Sequence, residues 1–121
     1  MTTQTDREII ARFQNLFNTD EDFTTTAMDR GFENVGPGWL SIMTQLCERL
    51  VPLAQGDFRI VAVKSKYATL RMNYRGGDGA TEAEIERTKS QALVTCERCG
   101  RPGEQRTGEG WMAVRCAACA G

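Results

Sequence analysis

The chain has no histidine, and only three prolines, two tryptophans and two tyrosines among its 121 residues. Without an imidazole, a cysteine or serine has no ordinary base to activate it, and the commonest acid–base relay cannot be built. No apolar run approaches the roughly 18 residues that a membrane-spanning helix needs. Met1 to Asp6 has neither the basic flank nor the apolar core of a secretion signal, so a cytoplasmic protein with no membrane partner is expected. An excess of either charge is missing too. Fifteen basic residues stand against 16 acidic ones, a formal net charge of −1, which steers the molecule as a whole toward neither phosphate backbones nor anionic lipid. Internal repeats and low-complexity tracts are also lacking.

What is present is enough for one modest hydrophobic core: 40% of residues are hydrophobic, in a chain of ordinary single-domain length. The charge is segregated along the chain. Asp20, Glu21, Asp22, Asp29 and Glu33 oppose only Arg30 between residues 20 and 36, whereas Arg59, Lys64, Lys66, Arg71 and Arg75 oppose only Asp57 between residues 57 and 75.

Hydrophobic spacing predicts the elements. Ile9, Ile10, Phe13, Leu16 and Phe17 fall on one helical face after the capping-box pattern Thr5-x-x-Glu8, predicting a helix over 6–18. A long polar loop comes next, and Gly36-Pro37-Gly38 opens a second helix. Its apolar face is Trp39, Ile42, Met43, Leu46, Cys47 and Leu50, and Pro52 stops it. Residues 58–64 form a short, largely apolar, β-branched run that suits a strand covered on both faces. In residues 67–75 apolar and polar positions alternate: Ala68, Leu70, Met72 and Tyr74 point inward, and Tyr67, Thr69, Arg71, Asn73 and Arg75 outward. A turn around Ser65 would join the two as a hairpin. Thr81-x-x-Glu84 then opens a polar helix to about Thr95, linking the hairpin to the cysteine-containing tail.

The last 26 residues carry the clearest pattern. Cys96-x-x-Cys99 and Cys116-x-x-Cys119 are separated by 16 residues, within the window of a four-thiolate zinc site. Two intervening residues let both sulfurs of a knuckle reach one tetrahedral ion, and a small residue after each pair, Gly100 and Ala120, lets backbone amides turn toward the sulfurs. Pro102-Gly103 and Gly108-Glu109-Gly110 read as turns, and Trp111–Arg115 as a strand returning to the second knuckle. Four thiolates leave no open ligand position, so the expected Zn²⁺ is structural, and its removal should unfold the tail. Charge argues against this ribbon as a reader of nucleic acid. Arg98, Arg101, Arg106 and Arg115 exceed Glu97, Glu104 and Glu109 by one, and a dication held by four thiolates adds about −2.

The fifth cysteine, Cys47, reads as a buried free thiol on the second helix. Candidate partner-binding residues are Tyr67, Arg71, Asn73 and Arg75 on the outer hairpin face, the carboxylates Asp20, Glu21 and Asp22, and Trp111. Each has a plainer use: a solvated face, pairing of the basic and acidic stretches, or packing of Trp111 within the ribbon. Aromatic and guanidinium groups on a sheet face suit a protein interface or stacked bases and phosphates. The first is preferred, because no RNP-like signature accompanies them.

The order Gly38-Trp39, Leu46-Cys47-x-x-Leu50, Phe58-x-Ile60-x-x-Val63-Lys64-x-Lys66-Tyr67-x-x-Leu70-Arg71, Cys96-x-x-Cys99-Gly100-x-Pro102-Gly103, Gly110-Trp111 and Cys116-x-x-Cys119 resembles small proteins of bacteriophages and prophages, over about residues 31–119. The resemblance implies a setting rather than a reaction: a protein that binds a host complex, such as a defence system, and modulates or inhibits it. The expectation is an α+β protein of two N-terminal helices, a β-hairpin and a linking helix over residues 1–95, with a four-cysteine zinc ribbon over 96–121. It is expected to be non-enzymatic and to bind a host protein complex, with nucleic acid as the alternative partner.

Overall fold

The structure, a computed structural model, describes residues 6–17, 32, 35–53, 57–108 and 110–119. It is an α+β fold with the element order α1 (Asp6–Arg12), a 3₁₀ turn (Gln14–Leu16), α2 (Pro37–Leu50), β1 (Arg59–Lys66), β2 (Thr69–Arg75), α3 (Gly79–Ala92), β3 (Glu104–Gly108) and β4 (Trp111–Arg115). Two separate antiparallel hairpins, β1–β2 and β3–β4, make up the sheets. Among the described residues no helix is long and apolar enough to cross a membrane.

The first helix is shorter than its hydrophobic spacing predicts. It ends at Arg12, and the chain tightens into the 3₁₀ turn before Phe17 becomes extended and bridges Ile60 in parallel. A helix continued to residue 18 would lose that bridge. The early exit still buries Ile9, Phe13, Leu16 and Phe17 together. Phe17 stacks at a tilt on Phe32, 5.9 Å between ring centroids, and the Phe32 amide donates to the Asp6 carboxylate. Thr5, the first half of the expected capping box, lies outside the described residues.

The second helix starts at Pro37, whose missing N–H is harmless in a first turn, and stops at Leu50, two residues before Pro52. Trp39, Ile42, Met43, Leu46, Cys47 and Leu50 are all buried, as their period requires. Helix α3 packs against α2, where Arg49 holds Glu84 at 2.7 Å and also donates to Thr88 Oγ1. The cap of α3 differs from the expected one. Asp78 is the N-cap, its carboxylate accepting from the Ala80 and Thr81 amides, while Thr81 is the third helical residue and returns the bond through its hydroxyl. The helix ends at Ala92 rather than near Thr95.

The hairpin turn sits later than expected, at Tyr67-Ala68 rather than around Ser65. Lys66 pairs with Thr69, so Tyr67 and Ala68 form a two-residue turn with φ 54° and 60°, the positive values that a type I′ turn demands. The alternation along β2 does not depend on where the turn falls, and Ala68, Leu70 and Met72 are buried as predicted. Strand β1 is not covered on both faces. Val61 is a bulge residue between Ile60↔Tyr74 and Ala62↔Asn73, which brings Ile60 and Val63 onto one buried face and leaves Val61 and Ala62 half-buried.

The core joins Ile9, Phe17, Trp39, Leu46, Phe58, Ile60, Leu70 and Ile85 to Val114 of the ribbon's last strand.

Candidate metal centre

Four segments converge at the C-terminal end of α3. After Ala92 the chain turns and enters the first knuckle, Cys96 to Gly100, with Gly100 at φ 81° allowing the tight reversal. The Cys96 amide donates to the Arg101 carbonyl, and the Gly100 amide to the Cys96 carbonyl. Strand β3, absent from the expected elements because residues 104–108 are polar throughout, pairs with β4 from Glu104↔Arg115 to Gly108↔Trp111. β4 delivers Cys116 and Cys119, where the Cys119 amide closes on the Cys116 carbonyl.

The sulfurs of Cys96, Cys99, Cys116 and Cys119 all lie within 4.8 Å of one another, with Cys99 and Cys116 at 3.5 Å. Tetrahedral Zn–S bonds of about 2.3 Å would put sulfurs roughly 3.8 Å apart, so the cluster has the size of a metal tetrahedron. No cysteine is in a disulfide. Cys96 and Cys116 are buried, Cys119 half-buried and Cys99 exposed.

Backbone amides are already aimed at the sulfurs. Burial pushes the Cys96 thiol up, but the Cys116, Cys99 and Arg98 amides more than offset it and hold it at about 6. Cys116 is also lowered, first by the Cys119 amide. Cys99 is favoured as thiolate by the Arg101 amide, yet ends raised through burial and the neighbouring sulfurs of Cys116 and Cys96. Cys119 is pushed up to about 12, chiefly by its hydrogen bond to the Cys116 sulfur. Without a cation, four crowded sulfurs divide into thiolates and the thiols that hydrogen-bond to them. A dication removes the conflict and lets all four ionise. The donor set and its spacing fit a metal ion.

The site is tied to the helical layer. The Gly38 amide donates to the Glu97 carbonyl at 2.7 Å, and a Cβ at Gly38 would collide with the Cys96 carbonyl. The Trp39 indole donates to the Thr95 carbonyl at 2.8 Å, one residue before the first cysteine of the cluster. Glu97, inside the knuckle, donates its amide to the Val114 carbonyl at 2.9 Å, and its carboxylate accepts from the Val114 amide at 2.7 Å and the Ser65 hydroxyl at 3.4 Å. It thereby clamps both hairpins. Sequence reasoning missed Glu97, which as a lone acid between two cysteines registers only as charge.

The other candidates separate. Arg71, Asn73 and Arg75 lie together on the outer face of β2, all exposed, and Tyr67 sits beside them at the turn, 62% exposed. Lys64 and Lys66, which sequence reasoning counted as charge without placing them, join this face through the register. Trp111 lies in β4, and its side chain is outside the described part of the structure. Asp20, Glu21 and Asp22 lie outside the described residues. Cys47 is fully buried on α2, which pushes its thiol up to about 12.

No protein-family model, curated protein or solved structure matches the chain.

Proposed function

We propose that Cys96, Cys99, Cys116 and Cys119 hold one structural Zn²⁺, and that the chain is a non-enzymatic binding protein whose surfaces this centre helps to fix. The observation that carries the first half is the four-sulfur cluster, each sulfur within 4.8 Å of the others. Tetrahedral thiolate sites take zinc or iron, and the Cys-x₂-Cys-x₁₆-Cys-x₂-Cys spacing is that of zinc modules. A closed four-cysteine set supplies rigidity rather than a position for substrate. The second half draws support from the absence of histidine and from Cys47, a thiol with no access to solvent that burial keeps protonated. The setting that the resemblance implies, a phage-borne protein that engages and inhibits a host complex, suits a small rigid scaffold.

Elemental analysis of protein expressed in minimal medium with both metals supplied tests the centre. One zinc per chain is expected. One iron, or no metal together with readily oxidised cysteine pairs, would replace this reading with an electron-transfer or thiol-redox one.

A further inference from the structure

Three features of the first hairpin serve neither the core nor the metal centre. On its outer face the register sets Lys64 opposite Arg71, like charges at directly opposed positions, an arrangement that weakens a sheet. None of the ion pairs among the described residues uses Lys64, Lys66 or Arg71. The turn puts Tyr67 in the left-handed region that side chains rarely adopt and, unlike its neighbour Ala68, which is buried in the core, Tyr67 gains no burial there, so stability alone would favour Asn. The Tyr67 ring is exposed at that tip, with Lys66 Nζ at 5.3 Å and the Arg71 guanidinium at 5.7 Å lying over it, long flexible cations that a stacked base would displace toward its own phosphates.

We infer that this tip and the outer face behind it bind single-stranded nucleic acid, with a base stacked on Tyr67 and backbone phosphates against Lys64, Lys66 and Arg71. A face rich in cations calls for a polyanion, and an exposed ring flanked by cations calls for a planar partner with an open π face. A single strand offers both. A duplex hides its base faces within the stack, and an acidic peptide supplies charge without the planar group. The chain's overall charge of −1 confines the attraction to this patch. The inference goes beyond the binding role proposed above, giving this face a nucleic-acid ligand where sequence alone favours a protein one, and it does not depend on which metal fills the centre.

The test is a fluorescence anisotropy titration of the full, metal-loaded chain with labelled dT12 over 50–200 mM NaCl. Three to five phosphate contacts should give a slope of log K against log salt between about −2 and −3.5. Tyr67→Phe should retain affinity, and Tyr67→Ala should lose roughly 5- to 100-fold. The double variant Lys64→Gln with Arg71→Gln should flatten the slope by about 1.4. It alters only outer-face side chains, so it decides the matter if Tyr67→Ala fails to fold. Circular dichroism and metal content establish the fold of each variant. Absence of binding, a parent-like affinity for Tyr67→Ala, or equal affinity for a 12-base-pair duplex or a 12-residue oligoglutamate would overturn the inference. A chain that holds no metal yet binds dT12 sinks the zinc proposal and leaves this one standing; a zinc-loaded chain with no affinity does the reverse.

Discussion

Gly38 and Cys47 occupy the same helix, and each shows a side chain, or its absence, dictated by what packs opposite. In an exposed helix, Gly→Ala stabilises by about 1 kcal/mol. Here the added methyl would meet the Cys96 carbonyl, so Gly38→Ala should instead cost about 2 kcal/mol or more, measured by urea unfolding of the metal-loaded protein. A stabilised variant would mean that the knuckle does not dock on α2. Cys47 makes a prediction in pH. Its thiol is raised from an unfolded value of 9.0 to about 12, so the folded state keeps its full stability below pH 9. Above that, the unfolded chain ionises while the folded one does not. Stability of the parent relative to Cys47→Ala should then fall by about 1.4 kcal/mol per pH unit up to about 12. A pH-independent difference would contradict the burial.

At the scale of elements, the strained turn and the cap of α3 are open to test. Tyr67→Asn should stabilise the hairpin by about 1 kcal/mol in thermal melts, because Tyr67 has a positive φ and no burial to lose, while removing the ring from the tip and leaving the buried Ala68 in place. Asp78→Ala should cost about 1 kcal/mol by the same measurement, since it strips the acceptor from the Ala80 and Thr81 amides. Much of this layout was legible beforehand. The burial of Trp39 through Leu50 and the inward set Ala68, Leu70 and Met72 came from period alone. The turn position, the Val61 bulge and the cap were not legible, because local patterns around Ser65 and Thr81 are as good as those used. The choice depends on which register buries Ile60 and Val63 with Met72.

For the whole molecule, metal loss should reach beyond the tail. Val114 belongs to the main core, the Trp39 indole donates to Thr95, and Glu97 touches α2, β4 and Ser65. Releasing the four cysteines therefore loosens contacts on α2 and on the first hairpin together. Chelation should lower the thermal midpoint in one transition, with tryptophan fluorescence and helical circular dichroism changing in parallel. A ribbon that melts alone, leaving helicity untouched, would show that these contacts carry little energy. Thiol titration gives an independent count: none of the five cysteines reacting quickly in metal-loaded protein, four after chelation, and all five in denaturant.

The sequence by itself determined the four-cysteine cluster, the buried helix faces and the segregation of basic residues onto the hairpin. These depend on spacing along the chain, and a 3.6- or 2-residue period or a Cys-x-x-Cys knuckle is a local property. Only the tertiary structure decided that the first helix breaks so that Phe17 can lie beside Ile60, and that Gly38 makes room for the Cys96 carbonyl. The same is true of Glu97 spanning two hairpins and of Lys64 facing Arg71. Each of these joins residues distant in sequence, and the competition for buried contact and hydrogen bonds that selects them is settled only when the core closes.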